Sequence, residues 1–483
     1  MSAPIIYLFR RDLRLADNPA LSAAVATGRP VECLFVLDDG ASGPWKGGGA
    51  SRWWLHYSLA GLAAALEGRG GRLILRRGDT EKTVAAVAAG IGADAVYLGR
   101  RYEPWAAAQE GRLQERLSQN GVAVRRFGGG LLCEPESVRT GQGTPFKVFT
   151  PFYRAILPLL CAQAPLPTPV KVLVPASAVD TDTLEDWRLL PRQPDWSGGL
   201  RDHWTPGEAG AWQRLERFAT NALADYGALR DVPARDGTSE LSPHLHFGEI
   251  SPRQCAARVR AVAAQQSAAV DGAESFVRQL VWRDFSHHLL FHTPSLPEAP
   301  FRPDYGTFPW RDDAAALRAW QTGATGYPLV DAGMRQLWRT GWMHNRVRMV
   351  AASFLVKHLL IPWQRGEEWF WDTLVDADLA NNAANWQWVA GCGADAAPYF
   401  RIFNPVTQSE KFDPDGAYLR RWLPELAELP TKHLHRPWQA APEILNRAGV
   451  ALGRDYPMPI VDHAAARARA LAAFADWRRD RPG

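Results

Sequence analysis

Cysteine is scarce: five residues, Cys33, Cys133, Cys161, Cys255 and Cys392, scattered, odd in number and never in a CxxC pair. That excludes a disulfide framework and a paired-cysteine zinc site, and it points to free thiols in a reducing cytoplasm. No apolar stretch approaches the roughly 20 residues that would span a bilayer. Met1 to Asp12 contain no basic leader followed by an apolar run, so no signal peptide is expected. An excess of one charge is lacking too, with 55 Lys+Arg against 51 Asp+Glu. A protein that coats DNA would be more basic, so any nucleic-acid contact is expected to be a local patch. There is no internal repeat, heptad seam or low-complexity tail. No GxGxxG follows the first strand, and the triplets Gly47–Gly49 and Gly128–Gly130 read as loops, without the strand–turn–helix setting of a phosphate loop. The histidines show no metal-ligand spacing, so no metal is expected. His244, His246, His287 and His288 read as satisfied core or surface residues.

What the sequence has in abundance is tryptophan, 21 in 483 residues, and it is unevenly placed. Four (Trp45, Trp53, Trp54, Trp105) precede residue 180, and the other seventeen lie from Trp187 onward. Two different kinds of domain therefore share the chain. In the first part, apolar runs at Ile5–Phe9, Val31–Leu37, Arg72–Leu75, Ala95–Leu98 and Val122–Arg126 predict strands. Between them Pro19–Thr27, Trp53–Gly68, Glu81–Ile91 and Ala107–Gln119 predict helices. Alternation of this kind gives a doubly wound parallel sheet over residues 1–130. Residues 131–205, rich in Pro, Asp and Ser towards their end, read as a connector. From 206 to 483 helical periodicity dominates, as in Phe276-Val277-x-x-Leu280-Val281-x-x-x-Phe285, and predicts an all-helical domain.

Four polar clusters stand out in the helical half. Tyr226-x-x-x-Arg230 is followed by Gly237-Thr-Ser-Glu-Leu-Ser-Pro-His-Leu-His-Phe-Gly248, whose hydroxyls and helix-start N–H groups suit either a diphosphate or simple capping. The others are Gln279-x-x-Trp282-Arg283-Asp284-Phe285, Gly341-Trp-Met-His-Asn-Arg-Val-Arg-Met349, and Asp376-x-Asp378-Leu379-x-Asn381-Asn382-x-x-x-Trp386-Gln387-Trp388, which continues to Tyr399-Phe-Arg-Ile-Phe-Asn-Pro405. Acids, amides and arginines among tryptophans are costly in a core unless partnered. Four such clusters in one domain suggest a polar aromatic ligand.

These segments, with Phe9–Leu21 (FRRDLRLADNPAL), Gly143–Arg154 (GTPFKVFTPFYR), Thr325–Leu337 (TGYPLVDAGMRQL) and Phe400–Leu426, resemble the photolyase/cryptochrome family over essentially the whole chain. The resemblance implies an α/β antenna domain, a helical domain holding FAD, and light-driven repair of cyclobutane pyrimidine dimers by electron transfer from photoexcited reduced FAD. UV-damaged DNA is the implied partner of a monomer with no obligate protein partner and no membrane. A second antenna chromophore, methenyltetrahydrofolate or 8-hydroxy-deazaflavin, is also implied. Tyr226, Thr238, Ser239, Leu241 and Ser242 map onto contacts to the FAD phosphates and ribitol. Arg283, Trp342, Asn345, Arg348, Asp376 and Asp378 map onto the flavin and adenine surroundings, and Asn382 onto flavin N5. Trp386, Trp363 and Trp310 match the electron relay. Trp282 and Trp388 match the pair that packs against the flipped dimer, with Gln279, Asn345 and Met349 beside it. Arg230, Arg346 and Arg401 match positions near DNA phosphates.

Three residues depart from the pattern. Gln279 replaces a glutamate, so it can hydrogen-bond but has no proton to lend. Glu240 replaces an arginine, a reversal expected to weaken the local phosphate field. Trp105 and Ala106 stand where one subgroup has a folate-binding Asn-Glu pair, which argues against that folate geometry. The alternative reading is a cryptochrome-type blue-light photoreceptor, favoured by Gln279 and disfavoured by the Trp282/Trp388 pair. Repair of (6-4) photoproducts is disfavoured, because Asn345 and Met349 stand where that chemistry uses histidines.

Overall fold

The computed structural model describes residues 2–160, 164–396 and 400–479; Cys161 and Tyr399 lie outside them. Strand and helix alternate in the order β1 (Ile5–Phe9), α1 (Pro19–Ala26), β2 (Val31–Leu37), α2 (Gly49–Glu67), β3 (Leu73–Arg77), α3 (Thr80–Ile91), β4 (Ala95–Gly99), α4 (Pro104–Ser118) and β5 (Ala123–Phe127). The strands are parallel in the order β3-β2-β1-β4-β5. All five residues of the central β1 are buried, which is why it reads as an unbroken apolar run. Ile6, Leu8, Leu34, Ile74, Val96 and Leu98 from the sheet meet Val84, Val87 and Ile91 of α3 and Leu113 and Leu117 of α4 in one core. The edge strand β5 is largely exposed and carries Arg125 and Arg126, charges that discourage pairing with another chain.

Local chemistry sets the helix ends. The Asn18 side chain accepts from the Leu21 N–H, with Pro19 in the first turn of α1. Asp79 caps α3, which ends at Gly92 in the left-handed region (φ 67°). Helix α2 begins at Gly49 rather than at Trp53. The triplet Gly47–Gly49 therefore leads straight into a helix, and Gly48 caps it without a side chain, so no polar residue marks the start.

The chain forms two compact units. The first comprises Met1–Ala224, Ser239–Pro294 and Val375–Ala380; the second comprises Asp225–Thr238, Ser295–Leu374 and Asn381–Gly483. The proline-rich stretch after residue 164 lies along the first unit. Val31 N–H donates to the Leu173 carbonyl (2.6 Å), Leu75 N–H to Thr181 Oγ1 (3.0 Å), and the Trp187 ring sits 6.1 Å from Phe35. The first unit also holds α5 (Phe149–Ile156), α6 (Ser242–Phe247) and α7 (Val270–His292). The buried Arg14 donates to the carbonyls of Asp17 (2.7 Å) and Gly248 (3.0 Å), tying the loop after β1 to the end of α6. Gly248 has φ 69°, and a side chain there would collide with the Arg11 carbonyl.

The second unit contains α8 (Pro328–Thr340), α9 (Asn345–Ser353), a π-helical turn at Phe354–His358, α10 (Trp363–Thr373), most of α11 (Leu379–Ala390) and α12 (His463–Arg479). Among the described residues no strand follows β5; pairing there is limited to one bridge, Leu452 with Tyr456.

Candidate functional site

In the first unit Ser242 opens α6 and its hydroxyl donates to Asp376 Oδ2 (2.6 Å). In the turn before it, Ser239 Oγ accepts from the Leu241 N–H (3.4 Å), and Leu241 is buried. Glu240 sits between them with a left-handed backbone (φ 50°), and its carboxylate pairs with Arg214 and with His203 Nε2 (3.4 Å). Arg214 in turn lies 4.2 Å over the Trp204 ring. Burial alone would raise the Glu240 carboxyl, but His203 and Arg214 hold it below the usual range. The negative charge at 240 is therefore neutralised where it stands.

Asp378 lies between His287 Nε2 (3.4 Å) and His246 Nδ1 (3.7 Å). Burial opposes ionisation of all three groups, and neighbouring charge decides the outcome. His287 and His246 hold Asp378 well below the carboxylate range, and Asp378 in turn raises His287 despite its burial. Burial, then the Arg11 guanidinium 2.5 Å from its Nε2, push His246 down to about 4. Of the two imidazoles, His287 is the closer to Asp378 and the one whose charged form the carboxylate favours. Beside it Arg283 Nη1 donates to the Gly130 carbonyl (2.7 Å), and burial pushes the Asp284 carboxyl up to about 7.

Helix α7 also carries Gln279 and Trp282, three apart and so on one face. Gln279 Nε2 rests 3.4 Å from the Ser275 carbonyl of its own helix. The half-buried Trp282 lies flat against Phe149 of α5, ring centroids 3.5 Å apart and planes 6° apart.

A cavity opens at the carboxyl ends of β1, β2 and β4, where strand order reverses and crevices form in doubly wound sheets. Its lining includes Arg10, Asp38, Arg101 and Trp105. Arg101 lies 4.3 Å over the Trp105 ring and pairs with Glu103 (2.7 Å). Trp105 Nε1 and Arg10 Nε are buried with no hydrogen-bond partner.

In the second unit Asn382 Nδ2 donates to the Glu367 carbonyl (3.0 Å), linking α11 to α10. One turn further on, the buried Trp386 packs against Gly366, where any side chain would collide with the indole. Its ring neighbours are Phe370 (5.0 Å) and Trp320 (6.0 Å); among the described residues no ring contact joins it to Trp363. Trp363 is fully buried, and the half-buried Trp310 contacts Phe308 (4.5 Å). Trp388 is half-buried and donates from Nε1 to the Asp395 carbonyl (3.0 Å).

On α9 the exposed Asn345 sets its Nδ2 3.9 Å from Met349 Sδ. Arg348 donates from Nε to the Met343 carbonyl (2.7 Å) and lies 5.9 Å over the Trp342 ring. Arg346 pairs with Asp231 (2.8 Å) and covers Phe412 (4.4 Å), so its charge is already engaged. Arg230 lies 5.5 Å over the buried Tyr226 ring, while Thr238 and Arg401 are half-buried.

Two family models match the chain: DNA photolyase over residues 5–170, and the FAD binding domain of DNA photolyase over residues 276–476. It is 50% identical to a deoxyribodipyrimidine photo-lyase of Agrobacterium fabrum, covering 98% of each. It is 40% identical to Cryptochrome-1 of Arabidopsis thaliana, covering 98% of this chain and 70% of that one. The crystal structure of a bacterial class III photolyase from Agrobacterium tumefaciens superposes with a TM-score of 0.95 at 49% identity, covering 99% and 98% of the two chains. The chain belongs to the photolyase/cryptochrome family.

As a photolyase-type enzyme it carries an FAD-binding domain. The residues present fit that cofactor, which needs polar partners inside an aromatic setting. His344 Nε2, Trp386 Nε1 and both carboxylate oxygens of Glu367 are buried without a hydrogen-bond partner, each beside residues expected around FAD. Sequence reasoning missed several features of this photolyase fold. His287 and His246 flank Asp378 rather than simply filling core, and the only signal was an Asp-x-Asp pair in need of cations. Glu367, whose carboxyl burial drives well above its ordinary range, gave no signal at all.

Proposed function

We propose that the chain repairs cyclobutane pyrimidine dimers in UV-damaged DNA, in a light-driven reaction with reduced FAD. The observation that best supports this reading is Trp282, a half-exposed indole fixed in plane with Gln279 one turn before it on α7. A base turned out of a duplex loses stacking, least where the pair is already distorted, and an aromatic face returns that energy. In this reading Trp282 and Trp388 receive the dimer, and Gln279, Asn345 and Met349 contact it. Bound in its reduced form, FAD supplies the photochemistry: an electron lent under blue light and recovered once the cyclobutane ring has opened, with no net redox change.

The FAD contacts proposed in the first unit are Ser239, Leu241, Ser242, Gln279, Arg283, Asp376 and Asp378. Those in the second are Tyr226, Thr238, Trp342, Asn345, Arg348 and Asn382. Asp378, kept ionised by His287, offers a fixed acceptor to a hydroxyl or amine, and Asn382 offers an amide that is oriented by the Glu367 carbonyl. Trp386, Trp363 and Trp310 carry electrons inward for reduction. Arg230, Arg346 and Arg401 meet phosphates. The cavity at Arg101 and Trp105 suits a flat second chromophore, methenyltetrahydrofolate or 8-hydroxy-deazaflavin, through stacking and a guanidinium.

The deciding experiment illuminates the pre-reduced protein with an oligonucleotide containing one thymine dimer. Loss of the dimer in light, and none in the dark, is expected. No repair by correctly loaded protein would move the chain to the photoreceptor side of its family, the reading that Gln279 favours.

A further inference from the structure

The segment Gly143–Arg154 has no part in the reading above, yet it places an aromatic ring directly under Trp282. Phe146, Phe149 and Phe152 recur at three-residue spacing, the latter two on α5. The segment is fastened to α7 by His288. The Phe146 N–H donates to His288 Nε2 (3.0 Å), and His288 Nδ1 faces the Pro135 carbonyl (3.2 Å). Nε2 accepts and Nδ1 donates, so the imidazole is neutral and its tautomer is fixed by its partners. Phe285 closes the cluster edge-on, 5.8 Å from Phe149, and lies 5.2 Å from Phe152. Phe149 is 1% exposed and cannot tip.

The contact it makes is unusual. Free aromatic pairs prefer offset or edge-to-face arrangements. Here the Phe149 and Trp282 centroids are 3.5 Å apart with planes 6° apart, close to an eclipsed sandwich. The surroundings impose that geometry. Beyond it the stack continues to Tyr153 (5.7 Å, 25°), and Arg278, one turn before Trp282 on α7, lies over both Phe149 (5.7 Å) and Tyr153 (5.1 Å). One face of the Trp282 indole is therefore consumed, and the surface it still exposes belongs to the rest of the ring.

We infer that Phe149 is a positioning residue that sets selectivity for damage: it holds Trp282 as a rigid platform with one usable face. This rests on the reading of Trp282 as the surface that takes an extruded base. A platform already fixed in its bound rotamer loses little side-chain entropy when a base lands on it. A base still stacked in an intact duplex cannot reach that face, so the gain accrues to extruded bases alone. Without the ring beneath, the indole tilts, and the affinity carried by phosphate contacts is unaffected.

The test measures equilibrium binding of the FAD-loaded protein to one oligonucleotide with and without a thymine dimer, for the native chain and for Phe149→Leu, Phe149→Tyr and Trp282→Ala. Phe149→Leu keeps most of the volume but removes the flat face. It is expected to cut the damaged-to-undamaged affinity ratio by about tenfold, the scale of one base–aromatic stack, with undamaged binding unchanged. Phe149→Tyr is expected to restore the ratio to within about twofold. A merely structural role would lower the folded fraction and both affinities together, so a fall in the ratio separates the two. If Phe149→Leu does not fold, Phe149→Met is read in its place. If Trp282→Ala erases selectivity while the leucine or methionine variant retains it, the inference about Phe149 is overturned and the reading of Trp282 stands. If Trp282→Ala also retains selectivity, the reading of Trp282 falls and the inference falls with it.

Discussion

Gln279 holds an amide where a carboxylic acid could share a proton, and among the described residues its side chain makes only a long hydrogen bond back to Ser275. On the proposed chemistry, a dimer that has gained an electron carries negative charge on its carbonyls. A carboxyl can shift a proton towards that charge, whereas an amide donates only a fixed hydrogen bond, a difference on the order of 1 kcal/mol. Gln279→Glu is therefore expected to raise the repair quantum yield of pre-reduced enzyme at saturating damaged DNA. Equal yields would make Gln279 a lining residue and nothing more. Gly366 gives a second expectation at this scale. A methyl group there meets the Trp386 indole, so Gly366→Ala should destabilise the fold by about 1–3 kcal/mol, as overpacking does, and slow photoreduction with a thiol donor. Thermal melting and flavin bleaching read the two effects separately. Residues of this kind mark how far a sequence can be read. Trp282, Asp378 and Asn382 stand out in the sequence because each lies in a cluster of polar and aromatic residues that resembles the family's motifs, and their roles remain proposals. The Gly366–Trp386 contact and the pairing of His287 with Asp378 do not stand out, since each depends on which segments meet in space.

At the scale of elements the α/β part was readable almost strand by strand, because buried parallel strands are unbroken apolar runs and α1 and α3 announce their starts with Asn18 and Asp79. Helix α2 was readable except for its first turn, whose start escaped because a glycine caps it. Helix α7 shows a different limit: its periodicity was plain, but nothing in the sequence says that His288 fastens a second segment to it. That fastening is sensitive to acid. Burial, with some help from the neighbouring His292, lowers His288 to about 4, below the 6.5 of a free imidazole. A histidine whose folded value is depressed contributes stability that is present above the unfolded value and is lost as pH falls from about 6.5 towards 4. The melting temperature of the native chain should therefore fall faster than that of His288→Asn between about pH 7.5 and about pH 5. Parallel pH profiles for the two proteins would remove His288 as the titrating pin.

For the whole molecule, a net charge of +4 leaves little for non-specific attraction, so on the proposed function the affinity for DNA rests on few phosphate contacts. Arg346 is one candidate, and in the free protein it is bound to Asp231. Asp231→Asn should release that guanidinium, strengthen binding to damaged and undamaged duplexes alike, and steepen the salt dependence by about one unit of slope. A filter-binding titration over a range of salt concentrations checks this, and an unchanged slope would remove Arg346 from the interface.

The first unit has one more consequence, for the order in which the chain is made. Its sheet is complete by Phe127, but its last segment, Val375–Ala380, is translated only after Asp225–Thr238 and Ser295–Leu374 of the second unit. Until then Ser242 lacks Asp376 and His287 lacks Asp378, so a nascent chain ending at Pro294 is without the two carboxylates that these side chains meet in the folded unit. Domains generally fold from the N-terminus as they emerge. Here the sheet can form early, while the helices α6 and α7 must wait for a six-residue insert from far downstream. Chains released before that insert should be held by chaperones or degraded, so that only protein translated past Ala380 accumulates with the Ser242–Asp376 and His287–Asp378 contacts made.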